Sequence, residues 1–428
     1  MERRNRAGLG RSKAPGTVGG TPRERKCACG HGRANNACRV EKPCPPRLWS
    51  LDVLRGACAG VVFLSHCHLW SGFPPAGGIE TGLWTSIAHV YELFVMATWP
   101  LGGHHPAVLG FFVLSGFCIH FPFEWRLRHG GPAPRWGDYF RRRFLRIMPV
   151  YWTGCVLGLA FVALERAHPS GHPLLVLHAY APPAHVATRL LGVSGIYPEE
   201  IFSGNYLLNT VAVELLMYAA YPVIYHFAAR GAWRKLGAAF LALHLSTLIL
   251  LQWVTPFWVF NSVFMLGIFW YAGALAAHLY VTRGWTASGR ALGLAWAAFL
   301  VTKLVPHFYG LTLIKQAAWS MVCVLGIVWA LGREIARPGL GEGRLMHTLR
   351  WTGQISYSLY AVHTPVIMFA TWGLLVLAGG HDYFVQLAAN LTCSIAVTLA
   401  VHYGVERWFY QPRSYVPPHA GTRLTPAA

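Results

Sequence analysis

The chain has 428 residues, 54% of them hydrophobic and only 12% charged, yet its formal net charge is +20. A soluble chain of that length would be two or three domains with roughly 25% charged residues, so composition excludes an ordinary soluble protein, as it excludes a disordered chain, a collagen and a disulfide scaffold. An apolar chain rich in Lys and Arg fits a multi-pass membrane protein whose cytoplasmic loops collect the basic residues, and no nucleic-acid partner is expected.

Residues 1–50 hold 12 Lys and Arg against 3 Asp and Glu, among many Gly, Pro and Ser. With no apolar period, this stretch reads as a basic, disordered cytoplasmic tail, and it lacks the apolar run of a signal peptide. Cys27, Cys29, Cys38 and Cys44 lie here with His31, but their spacing matches no common zinc site. The other six cysteines fall in apolar segments, where a thiol is usually a small core residue.

From residue 51 onward, apolar runs long enough to cross a bilayer are predicted at 51–70, 107–123, 147–165, 206–228, 237–254, 256–279, 291–308, 313–332, 354–378 and 385–406. The fold class is therefore an all-α integral membrane protein of about ten transmembrane helices. An even number puts both termini on one side. With the N-terminal tail, the segments on that side carry 31 of the 36 Lys and Arg, and the other side has only Arg166 and Arg189. That bias predicts cytoplasmic termini. The expected organisation is a tail at 1–50, a membrane domain at 51–408 and a short cytoplasmic tail at 409–428. Residues 83–99 read as an interfacial or re-entrant helix, because His89 and Glu92 interrupt them. Residues 167–203 read as a long outer loop.

Chemistry-bearing residues fall inside or beside these spans. Arg55 and His66, eleven positions apart in the first, share a helix stripe over a rise of about 16 Å, with the arginine near the cytoplasmic end and the histidine near mid-membrane. Ionisable residues in a span usually face a cavity or the bundle interior. Phe111–Ile119 carries Ser115 and Gly116, which read as packing residues. Arg143 and Arg146 lie at i, i+3 on one helix face, a spacing suited to bidentate phosphate binding. Glu214 sits roughly two turns into the fourth span and needs a buried partner, which Arg55, His66 or another buried donor can provide. The ninth span opens with Ser356, Tyr357, Ser358, Tyr360 and His363, a polar cluster suited to the wall of the same cavity. No nucleotide-loop, zinc-protease or serine-hydrolase motif occurs in a fitting context.

Together these residues resemble the integral-membrane acyltransferase-3 family over Leu51 to about Trp408. The similar motifs are Leu51-Asp52-x-x-Arg55 with His66, Phe-Phe-x-x-Ser-Gly-Phe at 111–117, Arg-x-x-Arg-Ile-x-Pro at 143–149, Glu214-x3-Tyr218-x3-Pro222, and Ser-Tyr-x-x-Tyr-x-x-His-x-Pro at 356–365. Asn209-Thr210 stand where the family usually has Trp-Ser, the stretch 71–106 is long, and no appended SGNH-type hydrolase domain is expected. The resemblance implies transfer of an acyl group, acetyl by preference, from acyl-CoA to a hydroxyl of a cell-envelope glycan or a small molecule at the cell membrane. It implies catalytic roles for His66, Arg55 and Glu214, and donor binding by Arg143, Arg146, Ser115, Tyr357 and His363. No metal is expected. Ten spans also fit a transporter or flippase with a buried Arg/His/Glu path, although no inverted repeat is visible. They fit as well a membrane sensor whose basic tail binds anionic lipid or nucleic acid.

Overall fold

The computed structural model describes residues 46, 48–71, 90, 105–196, 204–253, 262–304, 309–337, 343–380 and 382–410. Clustering of the chain separates a first unit, Met1–Lys42, from a second, Pro43–Ala428. The first lies outside the described residues, as do the four tail cysteines and, apart from Val90, the stretch 83–99.

Each apolar run becomes a helix. In chain order these are α1 (Trp49–Ser71), α2 (Pro106–Arg128), α3 (Trp136–Ala167), the short α4 (Pro173–His178) and α5 (Pro183–Leu190), then α6 (Leu208–Ala229), α7 (Trp233–Trp253), α8 (Val263–Arg283), α9 (Gly289–Lys303), α10 (Tyr309–Ala336), α11 (Arg344–Leu377) and α12 (Tyr383–Val401). A π-helical turn, His402–Glu406, follows α12. No strand occurs among the described residues. Eight helices there are long and apolar enough to cross a membrane: α1, α2, α3, α6, α8, the part of α10 from Leu313, α11, and α12 with its continuation to Phe409. α7 and α9 cover the other two expected spans, although α9 has only 15 residues. The chain is thus an all-α, multi-pass membrane protein.

The basic run around Arg141–Arg146 forms the first turns of α3, in keeping with the helix face shared by Arg143 and Arg146, and the 32 residues of that helix carry charge and span on one continuous rod. One departure from the sequence reading has a local cause. The outer stretch 167–203 holds two short helices, each opened by a proline at its first position, where the missing N–H is no loss.

The helix ends sort by charge. The starts of α1, α3, α7, α9 and α11 and the finishes of α2, α6, α8, α10 and α12 share one end of the bundle. Arg126, Arg128, Arg141–Arg146, Arg230, Arg234, Arg283, Arg333, Arg344 and Arg407 gather there, and it is called the basic end below. At that end the buried carboxylate of Glu334 (α10) accepts from the N–H groups of Trp49 and Ser50 at 3.0 and 3.1 Å and from Ser50 Oγ at 2.6 Å. It thereby caps α1 with charge opposite to the helix dipole. Away from the core, apolar side chains such as Val156, Val223, Leu294, Leu300, Val301 and Ile395 are exposed, as a lipid-facing surface requires.

Two glycine contacts set the closest helix pairs. A Cβ on Gly116 of α2 would lie 1.9 Å from the Trp270 carbonyl oxygen of α8, and one on Gly273 of α8 would lie 1.8 Å from that of Val113. Small residues permit this backbone approach. Likewise a Cβ on Gly353 of α11 would lie 1.8 Å from the Asp52 carbonyl oxygen of α1, and one on Gly56 would lie 2.6 Å from Thr352 Oγ1. α1 and α11 therefore run parallel with their site-bearing stretches face to face.

Interior prolines add a further constraint. Pro222 and Pro365 each remove the N–H that would bond the carbonyl four residues back. Neighbouring segments rescue both oxygens: Tyr139 Oη of α3 donates to Tyr218 O at 3.2 Å, and Nδ2 of Asn205, just before α6, donates to Ala361 O at 2.9 Å. Such rescue is what makes proline tolerable inside a membrane helix.

Candidate active site

A cleft opens among α1, α2, α3, α6 and α11. Arg55, Arg143, Arg146, Ser115, Glu214 and Tyr357 all line it, so the structure brings together six of the eight expected site residues. Three guanidinium groups face one carboxylate, and an anionic ligand is the natural complement.

Each charged group is positioned. Arg55 Nη1 bonds Asp52 Oδ1 at 3.1 Å, one turn earlier on α1, and its Nη2 approaches Cys118 Sγ at 3.4 Å. Arg143 lies 5.5 Å from the ring centre of Tyr218 and 5.8 Å from that of Tyr139. Arg146 lies 4.4 Å from the ring centre of Tyr410. Aromatic faces hold a guanidinium without consuming its N–H donors, so both arginines keep their forks available to a ligand. Tyr357 Oη donates to Ile147 O at 2.9 Å, tying the cleft wall of α11 to the α3 stretch that carries Arg143 and Arg146.

Of the partners expected for Glu214, the structure supplies other buried donors in place of Arg55 or His66: its Oε1 accepts from Ser115 Oγ at 2.5 Å and from Tyr218 Oη. Its surroundings in the sequence make Ser115 a packing residue and the resemblance gives it to acyl-CoA binding, whereas in the structure its hydroxyl helps to fix this carboxylate.

His66 and His363 stand apart from the cleft lining. His66 is five residues from the C-terminal end of α1, about 8 Å along the axis, and so nearer the end opposite the basic one than mid-helix. Its Nδ1 lies 3.0 Å from Nε2 of the fully buried His363. His363 Nδ1 in turn lies 2.8 Å from the Leu359 carbonyl oxygen. A carbonyl can only accept, so Nδ1 of His363 carries the proton and its Nε2 presents a lone pair. His66 Nδ1 must then donate to it, which leaves the lone pair of His66 on Nε2. A histidine whose base nitrogen is set by a partner on its other nitrogen is the arrangement general-base catalysis uses. His363 thus orients His66 instead of lining the cavity wall.

Tyr360 joins the two regions. It lines the cleft, its ring centre is 6.2 Å from that of His363, and its hydroxyl bonds Thr210 Oγ1 at 2.6 Å. Tyr360 thus lies in the cavity wall expected of the polar cluster that opens the ninth span, whereas Thr210 stood out in the sequence only as a departure from Trp-Ser. Beyond His66, the ring of Tyr206 lies edge-on at 5.8 Å and stacks on His178 at 5.0 Å. Neither ring sits in a recognisable motif, and only folding brings them to His66.

A family model described as an acyltransferase domain matches residues 48–406. The chain belongs to the acyltransferase-3 family. The match runs from the first residue before α1 through the π-helical turn, and so takes in the cleft and the histidine pair. No curated protein and no solved structure matches the chain. The protein is accordingly a multi-pass membrane acyltransferase.

Proposed function

We propose that this acyltransferase moves an acetyl or similar short acyl group from acyl-CoA, entering at the basic end, to a hydroxyl of a cell-envelope glycan or related sugar-containing acceptor at the opposite end, within the cell membrane. The basic end faces the cytoplasm on the same reading. The observation that carries it is the division of labour along α1, with three arginines around one cleft and an oriented, unprotonated imidazole nitrogen on the far side of Tyr360.

In this mechanism Arg55, Arg143 and Arg146 hold the donor's phosphates by charge-assisted, forked hydrogen bonds. Glu214, fixed by Ser115 and Tyr218, offsets part of the positive charge that Arg55, Arg143 and Arg146 bring to the cleft and orients the donor within it. The donor's flexible arm passes Phe111, Thr210 and Tyr360, and the rise from Arg55 to His66, about 16 Å, is the distance it must cover. At the far end His66 Nε2 takes the acceptor's hydroxyl proton as the oxygen attacks the thioester carbonyl. The carbon–sulfur bond breaks, the proton passes to the departing thiolate, and free CoA and an acyl ester result. His363 steadies the imidazolium that forms in between.

The test is CoA thiol release by the purified protein given acetyl-CoA and an oligosaccharide acceptor. Release that depends on the acceptor, with an acetyl ester on the sugar by mass spectrometry, is expected. Acceptor uptake into proteoliposomes with no CoA release would instead favour a transporter.

A further inference from the structure

A second buried polar cluster lies near the basic end and is not used by the cleft. His120 and Glu124 sit one turn apart on α2, and His278 faces them from α8, near where Gly116 and Gly273 lock those two helices together. His120 Nε2 is 3.3 Å from Glu124 Oε2, and His278 Nδ1 is 3.2 Å from Glu124 Oε1. The three donor atoms lie within 4.8 Å of one another. His120 is fully buried and Glu124 nearly so.

Both approaches have ion-pair distances but not hydrogen-bond geometry: His120 Nε2 and His278 Nδ1 are buried with no hydrogen-bond partner. Two sealed nitrogens held against a carboxylate off the hydrogen-bonding line are costly, unless something else sits among the three groups. The spacing suggests what. Two ligands bound tetrahedrally at 2.0–2.1 Å from zinc are separated by about 3.3–3.4 Å, close to the spacing of each histidine nitrogen from its nearer carboxylate oxygen, Oε2 for His120 and Oε1 for His278.

The surroundings also suit a metal ion. His120 Nδ1 is 3.1 Å from Tyr221 Oη, and a hydrogen bond from the other ring nitrogen is the usual support of a metal-bound histidine. Arg128 Nε donates to Glu124 Oε1 at 3.1 Å, so the carboxylate itself has an outer partner. The Trp233 indole covers both imidazoles, with ring centres 5.0 Å from His120 and 4.6 Å from His278. Two nitrogens and one carboxylate select a borderline transition ion over Ca²⁺ or Mg²⁺, which prefer all-oxygen shells.

We propose that His120, Glu124 and His278 bind one divalent transition-metal ion of the zinc class, pinning α2 to α8 and, through Tyr221, to the helix that carries Glu214. This site was not foreseen from the sequence, which pointed to no metal. Its ligands come from two distant segments, and only His120 and Glu124 show a helical spacing.

The test uses the full chain purified without a polyhistidine tag, stripped by a chelator, dialysed against Zn²⁺ and assayed by elemental mass spectrometry. About one zinc per chain is expected, with an affinity loss of roughly 10–100-fold in Glu124→Gln and at least that in His278→Ala. Zinc should raise the melting temperature of the stripped wild-type protein but not of those variants. His278→Cys, which keeps a ligand, should retain the ion and serves as the folding control. A chain with Cys27, Cys29, Cys38 and Cys44 all changed to Ser should bind as wild type does. Stripped wild-type protein that takes up no stoichiometric zinc, or uptake undiminished in both His278→Ala and Glu124→Gln, would overturn the proposal.

Discussion

Gly353→Ala probes the scaffold of the site at a single methyl group. The added Cβ would stand 1.8 Å from the Asp52 carbonyl oxygen. Two packed backbones can relieve that only by separating by about 1.2 Å or more, at a cost of roughly 1–3 kcal/mol or above. Asp52 pairs with Arg55, and the same two helices carry His66 and His363. A rigid shift of that size would stretch the 3.0 Å bond between the histidines beyond hydrogen-bonding range. A misplacement of about 1 Å can cost on the order of 100-fold in rate, so acyl transfer by Gly353→Ala should fall by about two orders of magnitude. The melting temperature should fall with it. The matched controls are Gly60→Ala on α1 and Gly373→Ala on α11, where a Cβ meets nothing within 4 Å. Both should keep full activity, and they should gain a little stability from the better helix former. Wild-type transfer rates in Gly353→Ala, or equal losses in all three variants, would refute the idea that this contact sets the geometry.

Further outcomes follow from the same structure. Arg143→Ala combined with Arg146→Ala removes two forked donors, so the KM for acyl-CoA should rise by roughly 100-fold or more, and unchanged donor affinity would remove their phosphate role. Asn205→Ala strands the Ala361 carbonyl that Pro365 left unpaired and should cost about 1–3 kcal/mol of stability. Adding Pro365→Ala gives that oxygen a helical partner again, so the double variant should recover stability relative to Asn205→Ala, and further loss instead would contradict the rescue.

Much of the architecture was legible because bilayer thickness imposes long apolar runs, and each of the ten predicted spans falls on a helix among the described residues, eight of them long and apolar enough to cross a membrane. The polar residues inside those spans also pointed to the cleft. Arg55, Ser115, Arg143, Arg146, Glu214 and Tyr357 line one cavity although they come from five helices. Partnerships were not legible. That Glu214 needs a buried partner was legible, but not which of Arg55, His66 or another donor meets it; two hydroxyls do, from Tyr218 one turn on and from Ser115 once α2 packs on α6. His363 looked like a cavity wall and proved to be the acceptor for His66. The cluster of His120, Glu124 and His278 left only a weak trace, since the positions that meet are about 150 residues apart in the chain. Periodicity reports which face a residue occupies, and neighbours across helices follow only from the crossing points that glycines such as Gly116 and Gly353 fix.

The central claim is that His66 performs the transfer while the arginine cleft only holds the donor. Its most direct test is single-turnover acyl transfer by purified His66→Ala protein at saturating acyl-CoA, beside direct measurement of acyl-CoA binding. Loss of transfer by about 100-fold or more, with donor affinity within a few-fold of wild type, is the expected result. Full transfer without His66, or loss of donor binding in its absence, would contradict it.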